Sequence, residues 1–245
     1  MIRLVCLLLG YAFGLIQTGF IVGKIKGIDI RKHGSGNSGS TNVLRTLGFR
    51  YAIIVFAFDA LKCIAAVLAA KALFADAYPD ILPILLIYTA FGVILGHNYP
   101  FYMGFKGGKG IASTGGFIIS FIWQLPFGWV LTLLGIITFF GVFFATHYVS
   151  LGSLLLYVGL VIEMLIIGLS GGLDFPAEKN AQYLTEYYII LFILTALAFI
   201  RHKENIKRLL AGCERKTYFK SRPEVDVNNK YKGEEPVSED KLNPM

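Results

Sequence analysis

The most constraining feature of this sequence is a series of long apolar blocks separated by short polar segments. The blocks cover residues 4–22, 51–74, 81–96, 127–146, 151–169 and 186–200, and a shorter one covers 111–124. A helix needs about 20 apolar residues to cross the hydrocarbon core of a bilayer. Only 16% of the 245 residues are charged, whereas a soluble domain has about 25%. The sequence therefore predicts an all-α polytopic membrane protein with about seven transmembrane helices.

The basic residues lie mainly on one side of these predicted spans. That side receives Lys24, Lys26, Arg31, Lys32, Arg45, Arg50, Lys106, Lys109 and most of the basic residues after Ile200, whereas the other side receives Arg3, Lys71 and Lys179. The positive-inside rule then places the N-terminus outside and the C-terminus in the cytoplasm. The net charge of +7 is explained by this topology and by an anionic substrate, so we expect no nucleic-acid partner.

The domain organisation follows from a change of composition near the C-terminus. Residues 1–216 form one near-continuous apolar unit, which we interpret as a single integral membrane domain. Residues 217–245 mix Lys, Glu, Asp, Asn and Pro with few apolar residues. Such a segment buries too little surface to fold alone, so we predict a disordered cytoplasmic tail without a catalytic role.

Three polar segments lie on the predicted cytoplasmic side, and the first runs from His33 to Arg45. It is rich in glycine and serine and leads into Ser40, Thr41 and Asn42, which are residue types that cap helices. The alternative is a flexible linker. Backbone N–H groups opened by the glycines, the positive end of a short helix and the Arg45 guanidinium would together suit a phosphate group. We therefore favour phosphate binding.

The second segment runs from Gly96 to Gly110 and contains Lys109 after Gly107 and Gly108. It resembles a Walker A loop only loosely, because the spacing is one residue short and Gly110 replaces the Ser or Thr that would hold magnesium. A glycine loop that leads into a helix still favours an anion. His97 in the same segment is interpreted as a structural hydrogen-bonding residue.

The third segment begins at Arg201 and continues as a basic amphipathic stretch. It could simply be an interfacial helix whose basic residues reach lipid headgroups. His202 and Asn205 lie three residues apart and so share one helix face. A histidine there suits proton transfer or donation to a developing oxyanion. Within the second span, Asp59 and Lys62 are also three residues apart and are expected to form a buried ion pair.

Taken together, these three segments resemble the bacterial acyl-phosphate:glycerol-3-phosphate acyltransferases, the PlsY family. The resemblance covers about residues 1–216, and Tyr148–Ser153 resembles the family's third cytoplasmic connection. It implies transfer of a fatty acyl group from acyl phosphate to the 1-position of glycerol 3-phosphate, the first step of phospholipid synthesis. It also implies a bacterial inner membrane protein that uses no cofactor or metal and needs no protein partner, with acyl phosphate, glycerol 3-phosphate and membrane lipid as its molecular partners.

The resemblance also implies a set of site residues. Ser35, Arg45 and Lys109 match family positions that hold substrate phosphate, and His202 and Asn205 match the catalytic pair. Asn42 lies in the first motif and is expected to line the site. The remaining phosphate-binding candidates are loop residues, namely Gly36, Asn37, Gly107 and Gly108. Ser38 and Ser40 depart from the family pattern, which has an apolar and a small residue at these positions.

The main alternative is a membrane transporter for an organic phosphate. A transporter places its binding groups near the bilayer midplane, often on broken helices, whereas most polar groups here lie in loops on one side. An alcohol phosphatidyltransferase would need clustered intramembrane aspartates for metal, and the aspartates of this chain are dispersed. A scaffold without enzymatic activity would not explain three glycine-rich or basic segments on one side.

Overall fold

The structure is a computed structural model that describes residues 1–219 and Val225. All regular secondary structure in this part of the chain is helical. The α-helices are α1 Ile2–Gly14, α2 Thr18–Ile25, α3 Ser40–Leu47, α4 Phe49–Phe74, α5 Leu82–Asn98, α6 Ile111–Ser120, α7 Gly128–Thr146, α8 Val149–Leu169, α9 Asn180–Arg201 and α10 Lys203–Leu210. Short 3-10 helices cover Ile30–Lys32, Pro79–Ile81, Phe101–Met103, Phe121–Trp123 and Ala177–Lys179.

Within the residues that the structure describes, six helical stretches are long and apolar enough to cross a membrane. They are Ile2–Ile25, Phe49–Phe74, Pro79–Met103, Gly128–Thr146, Val149–Leu169 and Ala177–Arg201. Each contains one of the six longer predicted blocks, except that Gly128–Thr146 begins one residue after the block at 127–146, so the prediction of an all-helical membrane protein is confirmed. The predicted span at 111–124 is a shorter apolar helix, Ile111–Trp123, and its length alone does not make it a crossing.

The position of this short helix can be read from a cavity at one end of the bundle. The cavity has a volume of about 80 Å³, and its lining includes Lys71, Leu82, Phe121, Trp123 and Leu173. Lys71 lies in the last turn of α4 and Leu82 begins α5. The stretch from Ile111 to Trp123 therefore ends at the end of the bundle where α4 ends and α5 begins.

The core surrounds α5, which packs against α1, α4, α6 and α9. Its close contact with α1 depends on glycine. A Cβ atom at Gly10 would lie 1.9 Å from the carbonyl oxygen of Thr89, and one at Gly92 would lie 2.1 Å from that of Leu7. Small residues at matching positions allow two helix backbones to approach each other in a membrane, where van der Waals packing replaces the hydrophobic effect.

The first span is broken, which the sequence did not predict. α1 ends at Gly14 and α2 begins at Thr18. The break frees backbone carbonyls that must find donors in an apolar environment. Gln17, which is only 1% exposed, donates through Nε2 to the carbonyl oxygens of Gly14 at 3.1 Å, Gly96 at 3.3 Å and His97 at 3.0 Å.

The predicted ion pair within the second span is confirmed. Lys62 Nζ lies 2.8 Å from Asp59 Oδ1, and both side chains are almost fully buried. Thr18 Oγ1 donates to the same carboxylate oxygen at 3.1 Å. Lys62 Nζ also donates to the carbonyl oxygen of Ile16 at 2.7 Å, so the ion pair joins α4 to the break between α1 and α2.

Candidate active site

The first polar loop is shaped by the side chain of Asn42. Its Oδ1 accepts hydrogen bonds from Ser35 N at 2.7 Å and Ser35 Oγ at 3.1 Å. Its Nδ2 donates to the carbonyl oxygens of Ile30 and His33, each at 3.1 Å. Asn42 is 2% exposed, and both atoms of its amide group are hydrogen-bonded within the loop. It therefore holds the loop in place and positions Ser35, and it does not itself face a substrate.

The start of α3 differs from the expected side-chain cap. Gly39 is the N-cap residue and makes no side-chain cap hydrogen bond. Instead, Asn37 Oδ1 accepts from the backbone N–H of Gly39 at 2.8 Å. Asn37 Nδ2 lies 3.5 Å from the carbonyl oxygen of Gly107, so this side chain connects the first loop to the second.

In the second loop, the backbone of Gly107 and Gly108 is tied to α5. Gly107 N donates to Asn98 O at 3.1 Å, and Gly108 N donates to His97 O at 3.0 Å. Arg201 donates through one terminal nitrogen to the carbonyl oxygens of Gly107 at 3.0 Å and Gly108 at 2.8 Å. The N–H groups of Gly107 and Gly108 are therefore hydrogen-bonded to α5 and do not face a ligand. The two glycines mainly allow the loop to pack closely against α5, which fixes the backbone before Lys109.

That residue is Lys109, and it joins the second loop to the third segment. Lys109 Nζ donates a hydrogen bond to Asn205 Oδ1. The pKa of Lys109 is lowered to about 8, chiefly by burial. The charge of Glu214 opposes this decrease, and the nearby cations Arg208, Arg201 and Arg45 contribute to it. A buried ammonium surrounded by guanidinium groups is a site that favours an anion, since an anion would neutralise the mutual repulsion.

Arg45 approaches the same region from α3. One terminal nitrogen of its guanidinium donates to Thr217 Oγ1 at 2.9 Å and to the carbonyl oxygen of Arg215 at 3.3 Å. The backbone N–H of Thr217 donates to His147 O at 2.9 Å. The segment after α10 therefore crosses back over the site end of α3 and α7, and it orients Arg45.

His202 lies between α9 and α10 and is 2% exposed. Its Nδ1 is 2.8 Å from the carbonyl oxygen of Ala198. Because a carbonyl can only accept, Nδ1 carries the proton and Nε2 of the neutral ring is an acceptor. Burial lowers the pKa of His202 to about 4, with a further contribution from the Lys109 ammonium. The ring is therefore neutral near pH 7 and able to accept a proton at Nε2.

A family model described as "Glycerol-3-phosphate acyltransferase" matches residues 4–212. The chain belongs to this family. A "Glycerol-3-phosphate acyltransferase" of Thermotoga petrophila is 40% identical over 211 residues, with 85% of this chain and 93% of that protein covered. One of Shouchella clausii is 41% identical over 210 residues, with the same shares covered.

Solved structures show the same relationship. The chain is similar to the crystal structure of PlsY, an integral membrane glycerol 3-phosphate acyltransferase, in its glycerol 3-phosphate form, with a TM-score of 0.69 and 32% identity. The match covers 88% of the present chain and 96% of the PlsY chain. The lysophosphatidic acid form of PlsY has a TM-score of 0.68 and 32% identity, with shares of 89% and 96%. The chain is thus an integral membrane acyltransferase.

Glu214 contacts the candidate site, and the sequence analysis did not identify it. Its Oε1 accepts from Asn205 Nδ2 at 2.6 Å and from Ser150 Oγ at 2.8 Å, and its Oε2 accepts from Arg208 Nε at 2.7 Å. Burial alone would raise the pKa of Glu214, but these hydrogen bonds and the charge of Arg208 hold it below the usual value. An isolated acid within a basic stretch was the available sequence signal.

The candidate site residues gather at one end of the bundle. Asn37 links the two glycine-rich loops, Lys109 links the second loop to Asn205, and the charge of Arg45 acts on Lys109. Within the described part of the chain, no group of three or more His, Cys, Asp or Glu residues could hold a metal ion. The side chains gathered at this end are cations, amides, hydroxyl groups, the Glu214 carboxylate and the His202 imidazole.

Proposed function

We propose that this protein transfers a fatty acyl group from acyl phosphate to the 1-hydroxyl of glycerol 3-phosphate, with lysophosphatidic acid and inorganic phosphate as products. The observation that carries the proposal is the grouping of Lys109, Arg45, Arg201 and Arg208 around Asn205 and His202 at one end of a membrane bundle. Both substrates carry phosphate groups, and this group of cations is suited to hold them close together.

Acyl phosphate is a mixed anhydride, so its phosphate is a good leaving group and the enzyme mainly has to position and neutralise charge. The oxygen of the 1-hydroxyl attacks the acyl carbon, and the bond from that carbon to the phosphate oxygen breaks. The hydroxyl proton passes either to His202 Nε2 or to a phosphate oxygen of the donor. Arg45 and Lys109 neutralise the phosphate groups while the acyl chain remains among the apolar helices.

Each candidate residue has a role in this proposal. Ser35 and Arg45 bind phosphate from the first loop, with Gly36, Asn37 and Asn42 shaping that loop. Lys109 binds phosphate from the second loop, which Gly107 and Gly108 allow to pack closely. Asn205 positions the Lys109 ammonium. His202 serves as the proton acceptor through Nε2 and, once protonated there, can donate to the developing oxyanion.

We further propose seven membrane crossings, with the N-terminus outside and the C-terminus and active site on the cytoplasmic face of a bacterial inner membrane. The end of Ile111–Trp123 beside Lys71 and Leu82 supports this count, because the helix starts in the loop that carries Lys109. A helix of this length can reach across a bilayer that thins locally. Residues 1–216 form the catalytic domain, to which Thr217 at the start of the tail adds a contact with Arg45, and we propose that no protein partner is required.

A transporter of organic phosphate fits the structure less well. The broken first span and the Asp59–Lys62 pair are features that transporters use at their binding sites. Here the carbonyls at the break accept from Gln17 and Lys62, and Asp59 accepts from Thr18 and Lys62. These groups are therefore hydrogen-bonded to one another, whereas the cations that suit a phosphate lie at the end of the bundle.

The decisive experiment uses the purified full chain in lipid nanodiscs with glycerol 3-phosphate and either acyl phosphate or acyl-CoA. We expect lysophosphatidic acid and inorganic phosphate in equal amounts from acyl phosphate and none from acyl-CoA. Product from acyl-CoA alone would overturn the choice of donor. Transport of glycerol 3-phosphate into sealed vesicles without acylation would favour the transporter.

The role of His202 is tested with His202→Ala in the same assay. If His202 Nε2 accepts the proton, we expect the kcat of the variant to fall by about 100-fold or more, as for other general bases. A kcat within threefold of the unsubstituted protein would assign the proton to the donor phosphate. Lysophosphatidic acid formation under saturating substrate gives this value directly.

A further inference from the structure

Beneath the second glycine-rich loop lies a buried cation that the proposed chemistry does not use. Lys62 is 5% exposed, and its ammonium contacts Asp59 Oδ1 at 2.8 Å, Ile16 O at 2.7 Å and His97 Nδ1 at 2.8 Å. An ammonium has three N–H donors and no acceptor. All three donors therefore have partners, which gives Lys62 a fixed position between α4, α5 and the break after α1.

The contact with Lys62 fixes the hydrogen atoms of His97. Because the ammonium can only donate, His97 Nδ1 accepts, and the ring proton lies on Nε2. The ring is 4% exposed and lies directly against the loop, since a Cβ atom at Gly108 would be 1.9 Å from His97 Nε2. The carbonyl oxygen of His97 also accepts from Gly108 N at 3.0 Å. Residue 97 therefore holds Gly108 through both its ring and its backbone.

We propose that Lys62 and His97 are positioning residues for the acyl-transfer site. Lys62 holds the His97 ring, and His97 fixes the position of the Gly108 backbone, which in turn determines where the Lys109 side chain points. This inference rests on the proposed function, in which Lys109 binds substrate phosphate. Neither residue touches substrate in this proposal. A displacement of about 1 Å at a binding group can cost about 100-fold in rate, so the support beneath the loop affects catalysis.

The contact between Gly108 and the His97 ring allows a specific test by a double-mutant cycle. The backbone of Gly108 does not have a positive φ, so alanine is acceptable there except for the clash with His97. His97→Asn keeps an acceptor for Lys62 near the position of Nδ1 and removes the Nε2 edge of the ring. The variants are Gly108→Ala, His97→Asn and the pair combined, each as the full chain in nanodiscs.

Gly107 provides the matched control. A Cβ atom at Gly107 would lie 2.0 Å from the carbonyl oxygen of His97 and 2.6 Å from Pro100 Cδ. Since the carbonyl belongs to the backbone, His97→Asn leaves this clash in place. Gly107→Ala is therefore combined with His97→Asn in a second cycle, in which no compensation is expected.

The measured quantities are kcat/KM with acyl phosphate and the Kd of glycerol 3-phosphate by calorimetry. We expect Gly108→Ala to lower kcat/KM by about 100-fold, and His97→Asn by about tenfold, from displacement of Lys109. The combined variant should be no worse than about tenfold below the unsubstituted protein, since contacting residues are not additive. A combined loss equal to the product of the single losses would overturn the inference.

A second comparison isolates the charge of Lys62. Lys62→Met alone would leave the Asp59 carboxylate buried without its cation, which destabilises the fold. The pair Asp59→Asn and Lys62→Met removes both charges together. We expect this variant to elute as a single species and to have a KM for glycerol 3-phosphate raised by about tenfold, because His97 loses its fixed partner. An unchanged KM would show that Lys62 stabilises the bundle without positioning the loop.

The failure of the proposed function and the failure of the positioning role would give different results. An unsubstituted protein that makes no lysophosphatidic acid from acyl phosphate and does not bind glycerol 3-phosphate defeats the proposed function, and this inference with it. An active unsubstituted protein with additive losses at positions 97 and 108 defeats only the inference.

Discussion

At the scale of single residues, the most informative group is Lys109, whose ammonium is buried against Asn205 in a cationic environment. Burial destabilises the charged form of Lys109, while the amide oxygen of Asn205 and the carboxylate of Glu214 stabilise it. A lysine in such a position gains more from a bound phosphate than an exposed lysine would. It is also more sensitive to pH.

The pKa of Lys109, lowered to about 8, gives a prediction for the pH dependence. Below pH 8 the free protein has a charged Lys109, and above it the ammonium loses its proton, so kcat/KM for glycerol 3-phosphate should fall as pH rises through about 8. His202, with a pKa of about 4, should add no change between pH 6 and 9. The pH profile of kcat/KM is the measurement.

The control for this prediction is Lys109→Arg. A guanidinium stays protonated throughout the measured range, so the alkaline decrease should disappear even though the fixed geometry of arginine lowers the absolute rate. An unchanged alkaline decrease in this variant would assign the titration to another group.

Glu214 provides a second prediction at this scale. Glu214→Gln removes the charge that pairs with Arg208 and leaves an amide N–H facing donors from Asn205 or Ser150. We expect a loss of about 1–3 kcal/mol in stability, as for a buried charged hydrogen bond. The melting temperature in detergent should decrease, and kcat/KM should decrease with it as Asn205 loses its anchor.

Glu204 is the matched control, because it is also a glutamate in the third segment. Its ion pair with Lys207 is 3.5 Å long and its side chain is 58% exposed. An exposed pair contributes about 0–1 kcal/mol, so Glu204→Gln should leave both melting temperature and rate nearly unchanged. Equal effects of the two substitutions would mean that Glu214 has no special role.

At the scale of structural elements, the segment after α10 is more closely tied to the site than its composition suggests. Thr217 contacts Arg45, and the Phe219 ring packs against Phe49, Phe143 and Phe144 with centroid distances of 5.3, 5.3 and 6.2 Å. The predicted tail begins at residue 217, so its first residues contact the start of α4 at Phe49 and the last turns of α7. Apart from Val225, the rest of the predicted tail lies outside the described residues.

Two truncations test whether the first residues of the predicted tail contribute to the site. Removal of residues 217–245 should raise the KM for glycerol 3-phosphate by about tenfold, because Arg45 loses a hydrogen bond from its charged group, and such a bond is worth about 1.5–3 kcal/mol. Removal of residues 226–245 should leave KM unchanged. Equal KM values for both truncations and the full chain would show that Thr217 does not orient Arg45.

A point substitution separates the hydroxyl from the rest of the segment. Thr217→Val removes only the acceptor for Arg45 and should reproduce most of the increase in KM. Thr195 is the control, since its hydroxyl donates to Leu191 O within α9 at 2.9 Å. Thr195→Val should therefore leave KM unchanged.

At the scale of the whole molecule, the proposed topology is open to a labelling test that uses native cysteines. Cys213 is exposed, whereas Cys6 and Cys63 are buried. Since Cys213 follows the third segment, it should lie on the cytoplasmic face. A membrane-impermeant maleimide should label it in inverted vesicles and leave it unlabelled in right-side-out vesicles. Cys213→Ser should abolish the signal.

The opposite face is tested in the Cys213→Ser protein. Gly171 is exposed and lies in the loop between α8 and α9, so Gly171→Cys should be labelled from the outside only. Labelling of both positions from the same side would contradict the proposed topology, and with it the seven crossings.

The sequence by itself determined the helical membrane fold, because apolar blocks of this length admit few other solutions in a bilayer. It also indicated the buried pair of Asp59 and Lys62, since opposite charges one helical turn apart in a span must pair. The three polar segments were recognisable from their composition and spacing, and the candidate residues within them from the resemblance to a known family. The expectation of open N–H groups at Gly107 and Gly108 was wrong, because these groups donate to Asn98 O and His97 O.

Only the tertiary structure decided how these segments meet. The break at Gly14–Thr18, the contact of Lys62 with His97 and the hydrogen bonds of Glu214 to Asn205, Ser150 and Arg208 join residues that are distant in the chain. No local pattern encodes such contacts, because they depend on how closely helices approach and which donors are left facing one another. Hydrophobic periodicity fixes which segments enter the membrane, whereas packing fixes which polar groups share a site.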